Sequence, residues 1–178
     1  ITNAAGCGAQ LKEYHHLFPE NTSEGKQDWN GFESKVIDIL EFLSRYPKQL
    51  ENIAWKTEED TVLYDAPCHL IHAQQVDENP RKLLNDLPGV SLIPLTESSW
   101  CCGSGGIYNL VQPKLSAAVL QRKIDSLKLT LYQHPAANTI VTGNPGCLYQ
   151  IRAGIRNSEI PLRIIHPIVY MAERLKQL

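Results

Sequence analysis

The chain has 178 residues, 43% of them hydrophobic, which is enough for one sizeable core and at most part of a second. Seventeen Lys and Arg against nineteen Asp and Glu give a net charge of -2, so the sequence carries no basic footprint of a nucleic-acid or anionic-membrane binder. No apolar run approaches the roughly 20 residues of a membrane helix, and the opening Ile1-Thr2-Asn3-Ala4-Ala5-Gly6-Cys7 lacks the charged start of a signal peptide. A cytoplasmic location is expected, and the missing initiating Met points to a piece of a longer polypeptide.

In chain order, Ile1 to Cys7 reads as strand, turn and helix start, and it matches Val141-Thr142-Gly143-Asn144-Pro145-Gly146-Cys147 with Thr, Gly and Cys in step. This internal likeness predicts a duplication. From Phe18 to Gly31 the chain is polar and rich in turn formers, a surface loop between two half-domains. Residues 1–31 are therefore read as the end of a first repeat plus its linker, and 32–178 as a second domain. A helix is expected from about Phe32 to Leu43. Strand candidates are Thr61–Tyr64, Val90–Leu95, Asn138–Thr142 and Leu162–Ile165. Between the second and third of these, a helix follows Pro113, a residue suited to a first turn, with Leu120, Ile124, Leu127 and Leu131 as its apolar stripe. The alternation predicts an α/β fold whose largely parallel sheet is covered by helices on both faces.

The cysteines carry the chemistry. There are five, an odd number, and Cys101 and Cys102 are adjacent, where a mutual disulfide would be strained, so a disulfide scaffold is disfavoured. Cys68, the Cys101-Cys102-Gly103 run and Cys147 each fall where a strand gives way to a loop or helix. In a parallel sheet such strand ends share one edge, so thiols distant in sequence meet in space. Gly103, Gly105, Gly106 and Gly146 allow tight turns and let backbone N–H groups approach sulfur. Cys147 and Cys7 also fall near expected helix N-termini, where the partial positive charge favours thiolate.

Thiolates of this kind suit an iron–sulfur cluster, whose potential is tuned by hydrogen bonds to sulfur and by exclusion of water, a task Trp100 can serve. Adjacent cysteines are awkward for one tetrahedral zinc, which usually takes pairs two to four residues apart. Three other readings stay open. They are buried apolar thiols, a zinc site using Cys68, His69 or His72 with later cysteines, and a catalytic dithiol at Cys101 or Cys102. His69 is expected beside the site as a donor rather than a ligand. His166 is expected to cap a helix or face solvent, and Asp65 and Asn144 to fix turns.

The segments YDAPCHLIHAQQ, SSWCCGSGGIYNLVQP and TGNPGCLYQI resemble the cysteine-rich (CCG) domain of glycolate oxidase iron–sulfur subunits. The likeness runs from about Thr61 to HPIVYMAERL, while NAAGCGAQLKEY and DILEFL resemble the end of a preceding cysteine-rich repeat and its linker. The resemblance implies Rossmann-like cysteine-rich half-domains and an electron-transfer subunit that does not itself bind glycolate. It implies a cluster, of the four-iron 4Fe-4S type, held by Cys68, Cys101, Cys102 and Cys147, with His69, Trp100, Gly103 and Asn144 around them. It also implies flavin-containing partner subunits and a quinone or membrane-associated acceptor, reached from the cytoplasm at the inner face of the membrane. Asn144 stands where the related heterodisulfide reductase pattern has a further cysteine, so four ligands remain, not five. No ferredoxin-like cysteine run is present, and Cys7 belongs to a first repeat whose other cysteines lie outside this sequence.

Overall fold

Four short apolar runs make the sheet: β1 (Asp60–Tyr64), β2 (Val90–Pro94), β3 (Thr139–Val141) and β4 (Arg163–Ile165). In the computed structural model, which describes residues 1–17 and 31–176, they pair in the order β2-β1-β3-β4, every pair parallel. The loop expected from Phe18 lies outside the described residues except for Gly31. Central strands in such a sheet are covered on both faces, which is why Val62, Leu63 and Tyr64 are consecutive, apolar and all buried.

Alternation along each strand sends side chains to two cores. Leu63, Ile140 and Ile164 meet α7 (Pro113–Gln133) and α8 (Pro145–Asn157) through Ile124, Leu127 and Ile151. Val62, Tyr64 and Val141 meet the other layer, which contains α3 (Ile39–Ser44), α5 (Glu78–Asn85) and α9 (Pro167–Glu173), through Leu40, Leu84 and Tyr170. Each fully buried Leu or Ile contributes about 1.5–3 kcal/mol relative to exposure. Gly154 lets α7 and α8 approach, since a Cβ there would lie 2.6 Å from Ile124 Cδ1. The remaining helices are α1 (Ala5–Lys12), α2 (Phe32–Lys35), α4 (Pro47–Glu51) and α6 (Tyr108–Val111). Among the described residues no helix is long and apolar enough to cross a membrane.

The helix expected from Phe32 to Leu43 is broken into α2 and α3. The β-branched Val36 and Ile37 leave the helix, and Ile37 O accepts from Thr2 N at 2.9 Å while Ile39 N donates to Thr2 O at 2.9 Å. Asp38 then starts α3 as its N-cap, accepting from Leu40 N at 2.9 Å.

Residues 1–17 and 31–44 together share a set of backbone features with residues 141–173. Thr2 N donates to Ile37 O as Thr142 N donates to Ile165 O. Ala4 and Asn144 are both extended N-caps, and Cys7 and Cys147 both follow a glycine in the first turn of the helix. Asp38 and His166 then cap α3 and α9 from the side chain, each accepting from the N–H two residues on. The two segments also touch: Ala5 N donates to Gly143 O at 3.1 Å. The reciprocal donor would be Pro145, which has no N–H, and Asn3 O is met instead by His166 Nε2 at 2.8 Å.

Candidate functional site

The carboxyl ends of β1, β2 and β3 lie side by side, and the loops leaving them carry Cys68, Cys101, Cys102 and Cys147. After β1, Asp65-Ala66-Pro67 leads to Cys68, the N-cap of a π-helical turn over His69–Ala73 that is anchored by buried Leu70. Cys68 is half-buried, and its Sγ lies 3.6 Å from His69 Nδ1.

After β2 the chain turns through Trp100 to Cys101, Cys102 and Gly103. Gly103 has φ +88°, and a Cβ on it would sit 2.6 Å from Ser116 O, so the turn requires glycine. Ser116 Oγ donates to Gly103 O at 2.8 Å and is itself held by Gln150 Nε2 at 3.0 Å. The turn points Gly103 N at Cys101 Sγ, 3.3 Å away. Cys101 is exposed and Cys102 buried.

After β3, Asn144 caps α8 and Cys147 is the third residue of that helix, buried to 3% exposure. Asn144 uses both ends of its amide. Nδ2 donates to Cys147 Sγ at 3.3 Å, and Oδ1 accepts from Gly6 N at 3.2 Å.

The four thiols are near enough to perturb one another in series: Cys68 with Cys101, Cys101 with Cys102, and Cys102 with Cys147. Their protons are consequently unequal. The influence of Cys102, then of Cys68, holds the Cys101 thiol far below the ordinary range, helped by Gly103 N–H and the His69 charge. Cys102 also pulls Cys147 down, with Asn144 assisting. Cys68 is pushed up first by Cys101, and Cys102 first by Cys101 and then by Cys147. The proton is thus held more tightly at Cys68 and Cys102 than at Cys101 and Cys147. Among the described residues no group of three or more His, Cys, Asp or Glu side chains surrounds one ion-sized point. Soft sulfurs gathered on one sheet edge, with N–H donors aimed at two of them, fit a polynuclear centre in which different metal atoms each take a thiolate.

The other expected site residues are placed as follows. His69 and Asn144 touch cysteine sulfur, and Gly103 supplies an N–H. Trp100 is 50% exposed at the rim, its ring 3.2 Å from the Arg122 guanidinium, and with Cys101 it lines a cleft of about 370 Å³ rather than sealing the site. His166 caps α9, and His72 is exposed. Cys7 is exposed in α1, although its neighbour Gly6 reaches Asn144.

One pair was not foreseen. Lys123 Nζ and Asp65 Oδ1 are 2.8 Å apart with side chains 1% and 2% exposed, directly behind the cysteine loops. Burial pushes the Asp65 carboxyl up and the Lys123 charge pulls it back. The signal was present in the sequence, because Lys123 stands on the same face of α7 as Leu120 and Leu127, where a cation requires a buried anion.

A parallel α/β sheet with these cysteines on its carboxyl edge defines a cysteine-rich domain, and residues 62–152 match the family of that description, CCG; the chain belongs to it. It is 34% identical over 168 residues to a probable glycolate oxidase iron-sulfur subunit of Bacillus subtilis, covering 93% of this chain and 36% of the relative. It is 33% identical over 128 residues to one of the subunits of the fumarate reductase (CoM/CoB) of Methanothermobacter marburgensis, covering 72% and 23%. It is 27% identical over 169 residues to lactate utilization protein A of Geobacillus kaustophilus, covering 93% and 66%. The chain thus spans about a third of the first relative's length, about a quarter of the second's and about two thirds of the third's.

Proposed function

We propose that this chain is an electron-transferring iron–sulfur portion of an oxidoreductase, and that Cys68, Cys101, Cys102 and Cys147 hold a four-iron cluster. The observation that carries the reading is the convergence of four thiols, from three separate loops, on one sheet edge with N–H donors aimed at two of the sulfurs. The names of the relatives support an oxidoreductase subunit. A cluster bound here would store and release single electrons. The protein's part is to supply negative charge and steady it. Gly103 N and Asn144 Nδ2 stabilise thiolate at Cys101 and Cys147, and the buried Cys102 and Cys147 hold water away. Cys101 and half-exposed Trp100 form the open side, where a partner approaches.

In the whole protein we place this domain between a flavin-containing subunit that oxidises glycolate and a quinone or respiratory acceptor, in the cytoplasm at the inner face of the membrane. The matching caps of α1 and α8 favour a duplicated cysteine-rich unit. We put the end of the first repeat after Ser44 rather than at residue 31, because Thr2 pairs with Ile37 and Asp38. Cys7 is then that repeat's counterpart of Cys147. A second reading, dithiol redox chemistry at Cys101, is favoured by the exposure of that thiol beside Cys102. A single zinc ion is less favoured, given the serial arrangement of the thiols.

Anaerobic reconstitution with iron and sulfide decides among these. Folded protein should turn brown, contain iron and acid-labile sulfide in equal amounts, and give a paramagnetic resonance signal in one redox state. Folded protein that takes up neither element sinks the cluster reading. Loss of disulfide-reducing activity in Cys101→Ser would then support the dithiol.

A further inference from the structure

We infer that Lys123 is a positioning residue that holds all three cysteine loops in register through one buried ion pair; this rests on the reading of the thiol array as the functional site.

Lys123 has three N–H donors and the structure uses each. Nζ donates to Asp65 Oδ1 at 2.8 Å, to Ser98 O at 3.1 Å and to Glu97 O at 3.2 Å. Asp65 lies three residues before Cys68, and Ser98 three before Cys101. The second carboxylate oxygen, Oδ2, accepts from Thr142 Oγ1 at 3.0 Å, five residues before Cys147. The Asp65 backbone repeats that link, its N–H donating to Val141 O at 3.0 Å. One cation and one carboxylate, both essentially excluded from water, therefore touch every loop that carries a thiol.

Ser116 of α7 ties the β2 loop to Gln150 of α8, and two other groups on α7 hold the β2 loop alone. Ser126 Oγ donates to Thr96 O, and Thr130 Oγ1 accepts from Thr96 N at 3.1 Å. Neither reaches the loops after β1 or β3, and Lys123 reaches them only through Asp65. An apolar residue at 123 would fill the space but cut the β2 loop from Asp65, leaving the β1 and β3 loops joined through Thr142 and the buried carboxyl without its cation. Buried ion pairs contribute specificity of arrangement in some systems more than net stability. A site that needs four sulfurs in contact is a setting where arrangement matters.

The test uses the full chain, metal-free and reduced, with a short bifunctional thiol alkylator, dibromobimane, and mass spectrometry of the linked peptides. Circular dichroism and a thermal melt establish that each variant is folded. Wild type should yield Cys68–Cys101 and Cys102–Cys147 links. In folded Lys123→Met both yields should fall at least about ten-fold, since displacing reacting groups by an ångström or so can cost about a hundred-fold. In Thr142→Val, which cuts only the β3 leg, the Cys102–Cys147 yield should fall while Cys68–Cys101 holds. Wild-type yields in folded Lys123→Met, or no links in wild type, overturn the inference. If Lys123→Met does not fold, Thr142→Val decides, the selective loss supporting the knot and unchanged yields refuting it. Because iron is absent throughout, a chain that never loads a cluster would sink that reading without altering this result.

Discussion

Two regions of this molecule, the described parts of 1–44 (1–17 and 31–44) and residues 141–173, are built alike and differ at their cysteines. Both run from a paired threonine through an extended N-cap into a helix with Gly-Cys in its first turn, and both continue to a helix capped by a side chain. Yet Cys147 is buried, is perturbed by Cys102 and accepts from the Asn144 amide, whereas Cys7 is exposed and the N-cap of its helix is Ala4, which has no amide to offer. The helix dipole is common to both. A first-turn cysteine therefore becomes part of a site through neighbouring loops and a capping amide, and the helix terminus by itself does not suffice.

Removing each cysteine in turn breaks that comparison most sharply. Cys147→Ser should weaken iron binding by at least about 10–100-fold, the range seen even when groups outside a metal's direct ligands are changed, and so leave iron per folded chain well below wild type. Cys7→Ser should leave iron content at the wild-type value. Iron and sulfide analysis after anaerobic reconstitution checks both, and equal losses from the two variants would mean that Cys7 is a ligand here.

The second-helix caps differ in pH response. Burial, the largest influence, raises Asp38 from its ordinary value of 3.8 to about 6. The folded state then holds the proton more tightly than the unfolded one. Stability from this group is complete below pH 3.8 and lost as pH rises through about 6, a cost of about 3 kcal/mol. His166 moves the other way, because burial lowers it from 6.5. Its Nδ1 must stay unprotonated to accept from Ile168 N, so Nε2–H is the donor to Asn3 O. Its stability is present above pH 6.5 and lost as pH falls through the lowered folded value. Asp38→Asn should thus stabilise the protein at pH 7 and not at pH 4, and His166→Asn should flatten the loss on the acid side. Chemical denaturation from pH 4 to 8 measures both.

How much of this was legible in the sequence depends on how local the cause is. β1 and α7 were readable because a continuous apolar run, a proline and a helical stripe are local signals, and the array of Cys68, Cys101, Cys102 and Cys147 followed from parallel strands ending at one edge. The break at Val36–Asp38 was not, since it is set by pairing with Thr2 across the chain. Lys123 announced an anion in the core, but periodicity has no means of naming a partner 58 residues away. Asn144 was readable as a turn former, while its grip on Cys147 depends on the amide orientation in the folded loop.

The glycines before the two cysteines give the finest test. Gly146 sits where a Cβ would lie 2.8 Å from Ser104 Oγ, in the loop beside Cys102, whereas at Gly6 the nearest atom would be Asn144 Oδ1 at 3.5 Å, an ordinary contact. Neither needs a positive φ, so helix propensity alone would favour alanine at both by up to about 1 kcal/mol. Crowding opposes it only at Gly146. Gly146→Ala should therefore cost about 1–2 kcal/mol as the buried Ser104 hydroxyl is forced to move. Gly6→Ala should be neutral or stabilising by a few tenths. Urea unfolding midpoints check the pair. Equal tolerance would mean that the loop after β2 is free to withdraw from α8, and the difference between the two cysteines would then rest on the Asn144 amide alone.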